Sequence, residues 1–248
     1  MSERGENMKK IKLFCLPYAG GSAMIYMKYR PYLDPGIELY PVELAGRGKR
    51  YNEPFYYDFN QAVNDVFEII LNSIEPSDQY AIFGHSMGCW IAEEVVMKLM
   101  TKKNIPLPIH VFLSGNKPIH NRYLEPVLHH LSDEEFLDEL KHMGGTPPEF
   151  FMNKELVNLF LPIIRNDFRI IEEFEYKGLE QPFQSNLSVL SGRSDKYTIN
   201  ELIEWENYCT MEFEIVEFEG DHFFVLSHIK EVAELINDRI GKHQLVRI

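Results

Sequence analysis

The chain has 248 residues, of which 45% are hydrophobic, and its formal net charge is −13 at pH 7. This length fits one domain with a sizeable insertion, and the hydrophobic content is sufficient for a large core. The acidic charge argues against nucleic-acid binding, because phosphate backbones attract basic surfaces and no basic, aromatic-rich motif is present. The three cysteines are widely spaced and form no Cys-x-x-Cys pair. We therefore expect neither a disulfide framework nor a zinc site.

The amino-terminal residues are polar, and residues 1–8 are predicted to be a disordered leader. The first apolar run, residues 13–16, is too short for the hydrophobic part of a signal peptide. No segment approaches the roughly 18 apolar residues that are needed to cross a bilayer. We expect a cytoplasmic protein that does not associate with membranes and that is a monomer.

Short apolar runs alternate with amphipathic segments of helical length. The predicted strands are Ile11–Leu16, Ile37–Leu44, Tyr80–Gly84, Ile109–Ser114, Leu187–Ser191 and Phe213–Phe218. The predicted helices that alternate with them are Ala23–Tyr32, Phe59–Ser73, Met87–Lys102, Ile199–Tyr208 and Leu226–Ile240. This alternation predicts an α/β fold with a mainly parallel sheet and helices on both faces.

Residues 117–181 interrupt the alternation, because no convincing strand occurs among them. Two helices are predicted there instead: Ser132–His142, which opens with a capping-box pattern, and Asn153–Phe174, which we expect to break at Pro162. The core then consists of residues 9–116 and 182–248. Since ligands of open α/β sheets bind at the carboxyl edge, the insertion is predicted to form a lid there. A passive layer of helices is the alternative.

Residues 84–88 read Gly-His-Ser-Met-Gly and lie between a buried strand and a helix. This arrangement is typical of the nucleophile elbow of α/β-hydrolases, in which a strained turn presents a serine hydroxyl. The two glycines leave the turn room to close, and the helix directs its amide end at the site. We therefore predict that Ser86 is a nucleophile.

A serine hydroxyl needs a base, and in this fold the acid and then the histidine follow the serine along the chain. His222 lies in a loop after the last predicted strand and is the predicted base; His228 falls within the following helix. Asp195 follows the preceding strand and a glycine turn, and is the predicted acid. Asp221 is a rival by proximity, whereas Asp167 is expected to be solvated on a lid helix.

An anionic intermediate needs two backbone donors. One is the amide of Met87, directly after the nucleophile. The second is expected in the glycine-rich loop after the first strand, residues 16–22, with Tyr18 as first choice and Ala19 as second. The same loop has neither a Walker lysine nor Gly-x-Gly-x-x-Gly spacing, so it is not predicted to bind phosphate.

Taken together, five motifs resemble those of the type II thioesterases, the stand-alone editing hydrolases of nonribosomal peptide and polyketide synthesis. They are Leu-Pro-Tyr-Ala-Gly-Gly at 16–21, Gly-Arg-Gly at 46–48, Gly-His-Ser-Met-Gly at 84–88, Gly-Arg-Ser-Asp at 192–195 and Gly-Asp-His-Phe-Phe at 220–224. The resemblance covers the chain from about residue 10 to 240. It implies an α/β-hydrolase that removes aberrant acyl groups from the phosphopantetheine arm of carrier proteins, with Ser86, Asp195 and His222 as the triad. It requires no metal and no diffusible cofactor.

Carrier proteins are usually acidic, so docking to an acidic chain would rely on local basic residues or on apolar contact. Arg47, Lys49 and Arg50 form a basic cluster on the loop after the second strand and are the predicted carrier contacts; a solvated loop is the alternative. Two other functions remain open. A carboxylesterase or lipase would use the same triad, and a non-catalytic carrier-binding module would not use it at all.

Overall fold

The computed structural model describes residues 9–122, 126–179 and 181–245, so the predicted leader, residues 1–8, lies outside the described residues. Six strands form a single sheet in the order β2-β1-β3-β4-β5-β6, and every neighbouring pair is parallel. The strands are β1 (Ile11–Leu16), β2 (Ile37–Pro41), β3 (Tyr80–His85), β4 (His110–Ser114), β5 (Asn186–Gly192) and β6 (Phe213–Phe218). The predicted α/β fold with a parallel sheet is confirmed.

The α-helices of the described residues follow the predicted alternation. They are α1 (Phe59–Leu71), α2 (Met87–Met100), α3 (Asp133–Met143), α4 (Pro148–Met152), α5 (Lys154–Glu172), α6 (Ile199–Leu202), α7 (Phe224–Ser227) and α8 (Ile229–Leu245). Two predicted helices are instead wholly or partly 3₁₀-helical, at Ala23–Tyr29 and Ile203–Tyr208. No helix in this part of the chain is long and apolar enough to cross a membrane.

The two central strands, β3 and β4, are buried along their whole length. Their sequences are nearly continuous apolar runs, as expected for parallel strands that helices cover on both faces. Helices α1 and α2 pack on one face of the sheet, and α8 packs on the other together with the 3₁₀ helix after β1. The carboxyl ends of the strands therefore meet at one edge, where the loops that follow β1, β3, β5 and β6 converge.

The insertion lies between β4 and β5 and contains α3, α4 and α5, which share a small apolar core. Helix α3 begins at the predicted capping box, in which Ser132 Oγ accepts from the Glu135 amide. The predicted break at Pro162 is wrong, because α5 continues through the proline without interruption. Buried Leu161, Ile163 and Ile164 anchor the helix beside the proline. Their packing outweighs the roughly 3 kcal/mol that a proline costs in a helix interior.

Candidate active site

Ser86 occupies the turn between β3 and α2, with φ 55° and ψ −115°. A positive φ is strained for a residue with a side chain, by about 1–3 kcal/mol. The turn is closed so tightly that a Cβ at Gly84 would lie 2.1 Å from the Gly88 carbonyl oxygen. The Ser86 amide donates to the Ser114 carbonyl at 2.8 Å, which fixes the turn to β4. The strained geometry is that of a nucleophile elbow.

His222 and Asp195 come together at the same edge of the sheet, from the loops after β6 and β5. The His222 Nδ1 atom lies 2.8 Å from Asp195 Oδ2. The other carboxylate oxygen, Oδ1, accepts from the Lys196 amide at 2.7 Å. The Asp195 side chain is only 2% exposed, so its charge acts with little solvent screening. A carboxylate at Nδ1 holds the proton there and leaves Nε2 free to accept one.

The neighbouring acid and histidines have other partners. Asp221 Oδ1 accepts from the Phe223 amide at 2.8 Å, which closes a local turn. His228 Nδ1 lies 3.7 Å from a carboxylate oxygen of Glu231. His85 is fully buried and pairs with Ser114 Oγ at 3.0 Å, and its burial, with a smaller contribution from His222, lowers its pKa well below the usual 6.5. His85 is therefore neutral, and its ring is buried beside His222.

The predicted oxyanion donors border the same cavity as Ser86 and His222. Met87 is the first residue of α2, so its amide is not used within the helix. In the loop after β1, the Gly21 amide donates to the Tyr18 carbonyl at 2.8 Å, forming a tight turn. Tyr18 and Ala19 both line the cavity, so the choice between them as second donor stays a prediction.

The cavity has a volume of about 580 Å³, within the usual range for small-molecule sites. One side is formed by the predicted triad. The apolar part of its lining includes Trp90, Leu128, Leu140, Ile164, Phe168 and Ile171. All of these except Trp90 belong to the insertion, which thus covers the site as a lid would; movement of this cover stays a prediction. Among the described residues, no three histidine, cysteine or carboxylate side chains are grouped as a metal site requires.

The structure corrects two predictions about charged residues. Arg47 is 2% exposed, and its guanidinium binds both carboxylate oxygens of Asp167, at 2.5 and 2.7 Å. Arg47 therefore cannot reach a carrier protein, and Asp167 is buried rather than solvated. Arg50 is also engaged, by Glu53 and by Asp65 at 2.6 Å. Of the predicted carrier contacts, Lys49 is the one exposed on the surface of the described chain.

The sequence contains a signal for the burial of Asp167, a residue that was expected to be solvated. Two isoleucines lie four and three residues before it, and two more lie three and four residues after it: Ile163, Ile164, Ile170 and Ile171. At 3.6 residues per turn, these positions lie on the same face of the helix as Asp167. A carboxylate in the middle of an apolar stripe predicts a buried partner, although the identity of that partner, 120 residues away, does not follow from the pattern.

A strained serine at the carboxyl edge of a parallel sheet, beside a histidine that a buried aspartate orients, defines a serine hydrolase of the α/β-hydrolase type. Comparison with known families specifies the class further. The model of the thioesterase domain family matches residues 11–240, and the chain belongs to that family. The predicted resemblance to thioesterases is confirmed.

Individual relatives align over nearly the whole chain. Linear gramicidin dehydrogenase LgrE of Brevibacillus parabrevis is 33% identical, with coverage of 94% of this chain and 89% of LgrE. The crystal structure of ClbQ from the colibactin NRPS/PKS pathway is 35% identical, with a TM-score of 0.90 and coverage of 96% and 100%. The type II thioesterase BorB of the borrelidin biosynthetic cluster is 29% identical, with a TM-score of 0.83 and coverage of 93% and 92%.

Proposed function

We propose that this chain hydrolyses acyl groups from the phosphopantetheine thiol of carrier proteins and so removes aberrant acyl groups from nonribosomal peptide or polyketide synthases. The observation that carries the proposal is the strained Ser86 beside the His222–Asp195 pair, opening into an apolar cavity under the insertion. Two relatives support it: ClbQ, from the colibactin NRPS/PKS pathway, and BorB, a type II thioesterase from the borrelidin biosynthetic cluster.

In the first half of the reaction, His222 Nε2 takes the proton from Ser86 Oγ as the oxygen attacks the thioester carbonyl. Negative charge develops on the carbonyl oxygen, and the amides of Met87 and Tyr18 donate to it. The C–S bond then breaks, and His222 returns the proton to the leaving thiolate. Asp195 stabilises the imidazolium that exists between these steps. The product is an acyl ester on Ser86 and a free pantetheine thiol.

In the second half, His222 Nε2 deprotonates a water molecule that attacks the acyl-Ser86 carbonyl. The same amides hold the oxyanion, and the Ser86 oxygen leaves with the proton from His222. The acid product is released, and Ser86 is regenerated. All proton transfers use groups of this chain, so the proposed reaction requires neither a metal nor a diffusible cofactor.

Other activities are separable from this one. The name of LgrE denotes a dehydrogenase, but the glycine-rich loop after β1 lacks the spacing of a dinucleotide-binding turn. A carboxylesterase would share the triad but would not gain from a pantetheine leaving group. A non-catalytic carrier-binding module would have no need for a strained serine at an oriented histidine.

The decisive experiment compares one acyl group on four supports: a holo-carrier protein, coenzyme A, pantetheine and a matched oxygen ester. We expect kcat/KM to be highest for the carrier, because binding energy from the remote protein surface lowers the barrier at the thioester. Equal constants for carrier and free thioesters would leave a general acyl hydrolase. Faster hydrolysis of the ester would favour the carboxylesterase, and no hydrolysis would favour the binding module.

A further inference from the structure

The buried ion pair between Arg47 and Asp167 contacts the loop after β1, which carries the predicted oxyanion donor Tyr18 and is called the oxyanion loop below. Asp167 belongs to α5 and is fully buried. Its Oδ1 atom accepts from Arg47 Nη2 at 2.7 Å, and its Oδ2 atom accepts from Arg47 Nη1 at 2.5 Å. Oδ2 also accepts from the Gly20 amide at 2.7 Å. One carboxylate therefore binds a side chain from the loop after β2 and the backbone of the loop after β1.

These contacts hold the loop after β1 in a single shape. Gly20 has φ +75°, and a Cβ there would lie 2.4 Å from Ile164 Cγ1 of α5. Next to it, Gly21 donates its amide to the Tyr18 carbonyl at 2.8 Å, while its carbonyl accepts from Arg47 Nη1 at 3.4 Å. The turn that includes Tyr18 is thus held by α5 and by Arg47.

The pair is not explained by stability alone. Removing two charges from water is costly, and buried ion pairs of this kind can often be replaced by well-packed apolar side chains with no loss of stability. Apolar side chains would fill the space but could not accept the Gly20 hydrogen bond. What the Asp167 carboxylate supplies is a fixed acceptor for a loop backbone, and catalysis depends on such placement because a donor displaced by about 1 Å can lower the rate about 100-fold.

We propose that Asp167, held by Arg47, is a positioning residue that sets the oxyanion loop so that the Tyr18 amide faces the reacting carbonyl. It also joins this loop to the cavity wall, because Ile164, Phe168 and Ile171 of the same helix line the cavity. The inference rests on the proposed function where it concerns thioester hydrolysis. Reaction of Ser86 with a fluorophosphonate tests it independently, because fluorophosphonates label activated serines whatever the natural acyl donor is.

The test is the double variant Arg47→Met, Asp167→Leu, which replaces the pair with apolar groups of similar volume and removes the Gly20 acceptor. We expect its melting temperature to stay within a few degrees of the wild type. We expect kcat for hexanoyl-pantetheine to fall about 10- to 100-fold while KM stays within about threefold. The rate of Ser86 phosphonylation by a fluorophosphonate should fall by a similar factor, because the phosphoryl oxygen uses the same donors.

The matched control is Arg239→Met, Glu214→Leu, which removes a bidentate pair, at 2.5 and 2.7 Å, between β6 and α8. Neither residue lines the cavity, so kcat and the phosphonylation rate should stay within about threefold of the wild type. A folded Arg47→Met, Asp167→Leu variant with wild-type kcat and phosphonylation rate would overturn the proposal. Slow phosphonylation in that variant would support the proposal even if the wild type did not hydrolyse hexanoyl-pantetheine. A wild type that does not hydrolyse this thioester would count against the proposed function only.

If the double variant does not fold, the single variant Asp167→Ala, which removes both acceptor oxygens, decides the question. It is assayed at a temperature at which its near-ultraviolet circular dichroism is that of the folded protein. A purely structural pair predicts a lower melting temperature with normal kcat in the folded state, and this result would overturn the proposal. A lower kcat with unchanged KM in the folded state supports it.

Discussion

The change Asp195→Asn tests the proposed acid most sharply, because the structure dictates how the new amide must be oriented. The Asp195 Oδ1 atom accepts from the Lys196 backbone amide at 2.7 Å, and that group can only donate. The asparagine oxygen will therefore occupy the Oδ1 position. Its NH₂ group then faces His222 Nδ1, which becomes an acceptor, and the imidazole proton moves to Nε2. In this tautomer His222 cannot take the proton from Ser86.

The expected magnitude follows from that loss of the base. In a serine protease with the same triad, an aspartate-to-asparagine change of this kind lowers kcat about 10⁴-fold, which corresponds to about 5.5 kcal/mol in the barrier. We expect a fall of this order for this chain, measured as thiol release from hexanoyl-pantetheine at pH 7.5. The KM value should change little, because the substitution leaves the apolar lining of the cavity unchanged.

The matched control is Asp221→Asn. Asp221 accepts from the Phe223 amide at 2.8 Å in a local turn, and an asparagine oxygen can do the same. We expect kcat within about threefold of the wild type. A loss larger for Asp221→Asn than for Asp195→Asn would refute the assignment of the acid and the tautomer argument with it.

Three further predictions use the cavity, the surface and a buried carboxyl. Phe168→Ala should lower kcat/KM for hexanoyl-pantetheine about 10-fold relative to acetyl-pantetheine, because only the longer acyl group loses the ring contact. Lys49→Glu should lower kcat/KM for an acyl-holo-carrier about threefold and leave acyl-pantetheine unaffected. Burial raises the pKa of Glu94 from 4.5 to about 7, so Glu94→Gln should stabilise the fold at pH 8 by on the order of 1 kcal/mol after discounting for solvent screening, and not at pH 4.5.

The sign of the Glu94 effect follows from proton uptake. Between pH 4.5 and 7 the folded protein keeps a proton that the unfolded chain releases, so wild-type stability falls as the pH rises through this window. The difference in melting temperature between variant and wild type should grow over the same window and then level off; a constant difference would contradict it.

An equal loss for acetyl and hexanoyl groups would contradict the Phe168 prediction. For Lys49, the control is Lys230→Glu on α8, and equal effects of the two variants would rule out a specific contact.

The fold and the proposed triad could be predicted because the relevant information is local in the sequence. Each strand is a short apolar run. Ser86, Asp195 and His222 lie one, three and four residues after the end of a strand, so a parallel sheet brings them to one edge. Gly84 and Gly88 likewise indicate the tight turn, because they lie within two residues of Ser86 in the sequence. No contact between distant segments had to be known.

The misplaced residues depend on contacts between distant segments. Arg47 and Asp167 are 120 residues apart, and although the apolar stripe around Asp167 indicates its burial, no local pattern identifies Arg47 as its partner. Their pairing is fixed only when the insertion folds over the loops of the core. Likewise, Pro162 breaks an isolated helix, but α5 is anchored by apolar side chains beside it. Tertiary packing outweighed the local preference in both cases.

The most direct test of the proposed catalytic site is peptide mapping after reaction with a fluorophosphonate. We expect one phosphonyl group per chain, located on Ser86, with thioesterase activity lost in proportion to labelling and no labelling of the Ser86→Ala variant. Full activity after labelling, or a phosphonyl group at another residue in the inactivated protein, would contradict it.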